Sequence, residues 1–251
     1  MGKLDGKVAI VTGASSGLGR GVAIAFAKEG AKLAICARRV EKLQQTAETC
    51  RQAGAEVLAL PCDVTVMADL ERLVNTTMEK YGRIDILVNN AVSATQYVSI
   101  MDHTQDMWDS VMKSGLEASW NLMRLCQPIM KKQKYGRIIN VSSAAGYQGM
   151  ALYGAYAIAK AGIRAMTMVA AREWGPEITV NSFGPLCNSD LSSVTFGKMP
   201  QADADTYIPP LGYVGDPEKD LAPGMVFLAS DDGHYVTGQQ LNVDGGLEIH
   251  F

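Results

Sequence analysis

Apolar and polar positions alternate along this chain in a regular way. Residues 7–12, KVAIVT, form a continuous apolar run suited to a strand buried on both faces. An amphipathic stretch with helical spacing follows to about residue 29, and Gly30 ends it. The same succession repeats. It predicts strands at 32–37, 56–60, 84–88, 137–141, 178–181 and 240–243. Between them it predicts helices at about 41–53, 67–81, 105–132, 153–174 and 218–230. Strands alternating with helices imply a parallel sheet with right-handed crossovers, covered by helices on both faces: the doubly wound α/β class. No internal repeat, low-complexity tract or linker-like stretch interrupts the pattern, so residues 1–251 read as a single domain. Residues 186–215 are the exception. They lack periodicity and follow a strand's C-terminal end, where a long irregular connection is expected to act as a substrate-binding lid.

Composition narrows the function classes. Apolar residues make up 47% and charged residues 20%, as in ordinary soluble domains. The net charge is −3, and Lys131, Lys132 and Lys134 are the only basic cluster. They sit where a helix C-terminus favours cations, so no nucleic-acid partner is expected. Five scattered cysteines without metal-ligand spacing read as reduced thiols of a cytoplasmic protein. His103, His234 and His250 lie far apart in sequence, and no metal site is expected. No signal-peptide pattern and no apolar run long enough for a membrane is present.

The first strand runs into Gly13-x-x-x-Gly17-x-Gly19, with Ser15, Ser16 and Leu18 between the glycines. Glycines after a strand and before a helix let the backbone approach a pyrophosphate, whose charge the helix N-terminus favours. The second strand then decides between dinucleotides. It ends Cys36-Ala37-Arg38-Arg39, without the carboxylate that would bond NAD's ribose hydroxyls. Paired arginines welcome a 2′-phosphate, so NADP(H) is expected over NAD(H), which remains possible. Asp63 and Val64, just past the third strand, can reach an adenine. Asn90 and Ala91, just past the fourth, lie where the bound cofactor passes.

Tyr156 and Lys160 are four apart and share one helical face. An ammonium beside a phenol favours phenolate, so the tyrosine pKa is expected to fall from about 10 and make Tyr156 a usable acid or base. Ser143, thirteen residues earlier, follows an apolar strand and can hydrogen-bond the same substrate oxygen.

Taken in order and spacing, these motifs and the closing Asn242-Val243-Asp244-Gly245-Gly246 resemble the short-chain dehydrogenase/reductase family over essentially the whole chain. The 3-oxoacyl-carrier-protein reductase and hydroxysteroid dehydrogenase branches are the most similar. The resemblance implies a Rossmann-type sheet and reversible hydride transfer between a nicotinamide and a carbonyl or secondary alcohol. It implies Tyr156 as general acid/base, Ser143 as the residue that positions the substrate oxygen, and Lys160 as holder of the nicotinamide ribose. It places Pro185 and Leu186 beside the nicotinamide carboxamide. A homotetramer or homodimer is implied as well, with a tail (247–251) that can cover a neighbouring subunit's site.

Three positions depart from the family pattern. Gly115 stands where relatives carry an asparagine that sustains a helix kink and a water chain to the lysine. Val92 follows Asn89-Asn90-Ala91 in place of a glycine. Leu186 follows Pro185 in place of a glycine, with Asp190 at the place of a threonine. A working relay through the Gly115 carbonyl is expected, together with an altered pocket at the nicotinamide end. Leu186 is expected to keep a negative φ. Tyr97, Tyr147, Met150, Tyr153 and Leu186 are the expected substrate wall, joined by Leu152, Phe196, Met199 and Tyr207. That mostly apolar set suits a bulky, uncharged ketone or alcohol, a steroid or cyclic ketone first. A 3-oxoacyl thioester reductase, or a dinucleotide-binding protein with weak or no catalysis, are the alternatives.

Overall fold

The computed structural model describes residues 2–93, 97–187 and 208–249. Seven strands form one sheet: β1 (Val8–Thr12), β2 (Lys32–Ala37), β3 (Val57–Pro61), β4 (Ile86–Asn89), β5 (Gly136–Val141), β6 (Ile178–Pro185) and β7 (Gln240–Val243). Their spatial order is β3-β2-β1-β4-β5-β6-β7, and every pairing is parallel. The order reverses between β1 and β4, which leaves a crevice at their C-terminal ends.

Because side chains alternate across a strand, one run feeds two cores. Ala9 and Val11 of β1 face α1 (Gly17–Lys28), α2 (Val40–Gln52) and the last helix, α8 (Ala222–Ala229). Ile10 faces the opposite layer, built from α3 (Met67–Tyr81), α5 (Ala118–Lys132) and α7 (Gly154–Trp174). Both layers bury aliphatic side chains almost completely, as a strand covered on both faces requires.

The sequence pattern and the structure differ at four places. β6 continues to Pro185 rather than ending at 181, because Phe183 is fully buried and paired with β5 and β7. The helix expected over 105–132 is divided: α4 (Gln105–Val111) and α5 flank a π-helical turn, Met112–Glu117, centred on Gly115. A short helix, α6 (Ala145–Gln148), stands where no helix was expected. The last helix opens with a second π-turn, Pro217–Leu221, whose first donors are capped by Asp216. Most of the expected lid, with Asp190, Phe196, Met199 and Tyr207, lies outside the described residues.

The N-terminal ends of the two central strands, opposite the crevice, are fastened by Asp85, which is fully buried. It accepts from the Val8 amide at 2.8 Å and from both ends of the Arg83 guanidinium at 2.8 and 2.6 Å, joining the start of β1 to that of β4. Removing the carboxylate strands the buried Val8 amide, while the half-exposed Arg83 guanidinium can turn to water. Asp85→Ala should therefore lower the unfolding free energy by about 2 kcal/mol, read as a lower urea midpoint at an unchanged slope.

Candidate active site

The crevice is set by one hydroxyl at the end of β1. Thr12 Oγ1 accepts from the Asn90 and Ala91 amides at 2.9 and 3.0 Å and donates to the Val88 carbonyl at 3.3 Å. The Asn90 side-chain amide donates back to the Thr12 carbonyl at 2.8 Å. These bonds bring the chain leaving β4 directly over the glycine loop. Gly13 takes φ +68°, and a Cβ there would come 2.8 Å from Asn90 Nδ2. Gly19 is equally confined: a Cβ would lie 2.5 Å from both Asn90 Nδ2 and the Gly13 carbonyl. Only glycine fits these two places.

The loop, the β2 end and the active-site helix open on one cavity of about 520 Å³. Gly13, Ser15, Ser16, Gly17, Leu18, Arg38, Arg39, Asp63, Val64, Asn90, Ala91, Pro185 and Leu186 line it, as do Ser143, Met150, Tyr153, Tyr156 and Lys160. Arg39 lies across the glycine loop, donating to Ser15 Oγ from Nε at 3.3 Å and Nη2 at 3.2 Å, and to Ser16 Oγ at 2.5 Å. Asp63 accepts from the Thr65 amide at 3.0 Å and hydroxyl at 2.8 Å. Those bonds, the amide foremost, hold its carboxyl below the usual range, and Arg38 adds to the effect. A strand-end crevice, an N-terminal helix turn, confined glycines and two guanidinium groups form a cradle that fits a nicotinamide dinucleotide.

At the other end, α7 carries Tyr156 and Lys160 one turn apart, and α6 begins just after Ser143. Ser143 lies beside the Tyr156 phenol on the same cavity wall, and its hydroxyl accepts from the Ala145 amide at 3.3 Å, which orients it. Lys160 is 2% exposed, and its Nζ donates to the Val141 carbonyl at the end of β5 at 2.6 Å. The same Nζ stands 5.4 Å from the Tyr156 ring centre. The expected fall in the tyrosine pKa is not what this geometry gives. Burial pushes Tyr156 up to about 12, against the opposing hydrogen bond from Ser143. Burial also pushes Lys160 down to about 7. A lysine that resists protonation has little charge to lend its neighbour.

Gly19, Tyr97 and Tyr147 do not reach the cavity wall. Gly19 is packed beneath the loop. Tyr97 stands edge-on to Tyr153, with ring centres 5.4 Å apart, and so supports the wall from behind. Tyr147 is covered by the Arg164 guanidinium, 3.1 Å from its ring centre. Leu186 avoids left-handed backbone, as expected: among the described non-glycine residues only Lys134 and Leu152 have positive φ. The Gly115 carbonyl accepts from Ser119 Oγ at 2.7 Å.

Sequence reasoning missed the contribution of the chain's end. Asn242, Asp244, Leu247 and Glu248 line this chain's own cavity. Asp244 builds the turn, accepting from the Gly246 and Glu248 amides at 3.0 Å each, and Gln148 of α6 donates to the Glu248 carboxylate. The signal was present in Asp244-Gly245-Gly246, whose glycines take φ +68° and +87°.

The comparisons agree with this architecture. The family profile described as Enoyl-(Acyl carrier protein) reductase matches residues 13–248. A 12alpha-hydroxysteroid dehydrogenase from a Clostridium sp. is 38% identical, with 98% of each chain covered. The 3-oxoacyl-[acyl-carrier-protein] reductase FabG of Thermotoga maritima is 36% identical over 98% of this chain and 100% of its own. The crystal structure of levodione reductase superposes with a TM-score of 0.90 at 29% identity, covering 96% of this chain and 97% of that one. The chain belongs to the short-chain dehydrogenase/reductase family. It is an oxidoreductase of the class that binds a nicotinamide dinucleotide and acts on carbonyl or hydroxyl groups of small molecules. Among the described residues, no helix is long and apolar enough to cross a membrane, and no group of metal-binding side chains occurs.

The low Lys160 pKa makes stability depend on pH. The unfolded chain holds the lysine proton up to its ordinary value near 10.5, whereas the folded chain releases it near 7. Between those limits the unfolded state binds more protons, so stability rises with pH and is lost as pH falls toward 7. From about pH 7 to about pH 9, the stability of wild type relative to Lys160→Met should rise by about 1 kcal/mol per pH unit, the variant serving to subtract the opposing contribution of the buried cysteines.

Proposed function

We propose that this enzyme uses NADPH to reduce a bulky, mostly apolar ketone, or NADP⁺ to oxidise the matching secondary alcohol. The observation that carries this reading is the placement of the Tyr156 hydroxyl. It is half-buried on the α7 face that carries Lys160 and stands beside Ser143, in a cavity that also contains the glycine loop. The cofactor supplies a hydride to the carbonyl carbon. Tyr156 gives the phenolic proton to the carbonyl oxygen, and Ser143 holds that oxygen by a second hydrogen bond. A phenol raised to about 12 holds its proton at neutral pH and gives it up only to a stronger base, which the alkoxide left by hydride transfer would be. Lys160, whose Nζ is held by the Val141 carbonyl, would bond the nicotinamide ribose and return a proton to Tyr156.

Arg38 and Arg39 support NADP(H). Both line the cavity at the β2 end, where no carboxylate stands to receive ribose hydroxyls. Met150, Tyr153, Leu186 and Leu247 give the substrate end an apolar wall, which favours a steroid or cyclic ketone. The hydroxysteroid dehydrogenase and levodione reductase among the similar proteins agree with that choice. A second reading, 3-oxoacyl thioester reduction, is favoured by the similarity to the Thermotoga protein. The enzyme is taken to work in the cytoplasm as a homotetramer or homodimer. Exposed Trp120, Ile158, Met168 and Val169 on α5 and α7 supply apolar surface for that assembly.

Tyr156→Phe tests the mechanism. It should lower kcat by at least about a hundredfold and leave NADPH affinity within about twofold, since only proton transfer is removed. A collapse of affinity would make Tyr156 a binding residue. Arg38→Asp should weaken NADPH binding at least about tenfold more than NADH binding. Equal effects on both would detach Arg38 from the 2′-phosphate.

A further inference from the structure

Val92 and Gly115 are distant in sequence and touch in the fold. Gly115 is buried in the π-turn between α4 and α5. Among the described residues, a Cβ built on it would meet, outside its own helix, only Val92 Cγ2, at 3.3 Å. That is closer than ordinary van der Waals contact, so one of the two would have to give. Val92 lines the cavity and Gly115 does not. The valine side chain thus stands between the substrate space and the bare backbone of the turn.

Val92 cannot retreat as a whole. On one side the Ala91 amide is held by Thr12 Oγ1 at 3.0 Å; on the other the Ser93 amide donates to Ser114 Oγ at 2.9 Å. Ser114 is itself fixed, donating to the Ser110 carbonyl at 2.5 Å. With the backbone pinned at both ends, only χ1 is free, and a β-branched residue has few positions to choose from. A methyl at 115 would press the isopropyl group to yield by a few tenths of an ångström, away from the helix. The remaining direction is the cavity.

We propose that Gly115 is a specificity-determining residue that acts through Val92. Its missing side chain provides the recess that keeps Val92 out of the substrate space and so admits a bulky ketone. This rests on the ketone-reductase reading for its substrate and on the Val92–Gly115 contact for its geometry. The π-turn contributes as well: Met112 and Leu116 of the same turn pack against the Ala155 and Ala159 face of α7 along with Tyr156. The recess therefore borders the element that carries the proton donor.

The test compares wild type, Gly115→Ala, Val92→Ala and the double variant on a ketosteroid and on cyclohexanone. Gly115→Ala should lower kcat/KM for the ketosteroid roughly tenfold or more, mainly through KM, as a single misplaced methyl does in an apolar pocket. Cyclohexanone turnover should change less than about twofold, and the double variant should recover the ketosteroid. Val92→Ala alone should raise the ketosteroid-to-cyclohexanone preference. Equal losses on both ketones, or no recovery in the double variant, would overturn the proposal. Failure of the wild type to reduce any ketone would sink the functional reading instead. The coupling would then be decided by crystal structures of wild type and Gly115→Ala with NADP⁺ bound. Val92 turned into the cavity upholds it; an unmoved Val92 beside a displaced helix refutes it.

Discussion

Everything in this site hangs on the hydrogen bonds that Thr12 makes across the gap between β1 and β4. A parallel sheet whose strand order reverses must open at the reversal, because neighbouring connections leave in opposite directions. Left alone, the opening would hold two loops with no fixed relation. Thr12 and Asn90 tie them together through four short bonds. The glycine loop is thereby forced under the β4 exit, and the exit is aimed at the π-turn, where Val92 meets Gly115. Thr12 is 1% exposed and belongs to β1, so the arrangement is anchored in the rigid part of the molecule. The dinucleotide cradle and the substrate wall are consequences of one clamp.

Burial is the second organising influence, and it acts on Tyr156 and Lys160 in opposite senses. It disfavours the charged form of each, so it raises the phenol and lowers the ammonium. Two groups whose ordinary pKa values are nearly equal are driven apart. The phenol keeps its proton and the amine gives one up readily. The proton delivery proposed for Tyr156 has to operate within that ordering. The ordering costs stability near neutral pH, and the dense aliphatic layers on both faces of the sheet offset that cost.

Much of this was legible in the sequence. The alternation of apolar runs and amphipathic stretches gave the element order and the parallel sheet, because strands buried on both faces leave an unambiguous pattern. Glycines at 13 and 17, arginines at 38 and 39, and the Tyr156–Lys160 spacing named the crevice residues that the fold collects. Three things were not legible. The direction of the Tyr156 shift depends on burial, which a spacing of four residues does not report. The contribution of Asp244, Leu247 and Glu248 depends on a turn that returns the chain to its own cavity. Finally, Gly115 and Val92 read as two separate departures from the family pattern. Only the fold shows that the space left by one is met by the other.

The most direct test of the account is NADPH consumption, followed by its near-ultraviolet absorbance, against bulky ketones that include ketosteroids, cyclic diketones and 3-oxoacyl thioesters, with NADH run in parallel. The account predicts turnover of a bulky cyclic ketone at a clear preference for NADPH. No turnover of any carbonyl compound, while NADPH still binds as seen by fluorescence titration, would contradict it. The fold would then be a dinucleotide-binding protein in which Ser143, Tyr156 and Lys160 perform no chemistry.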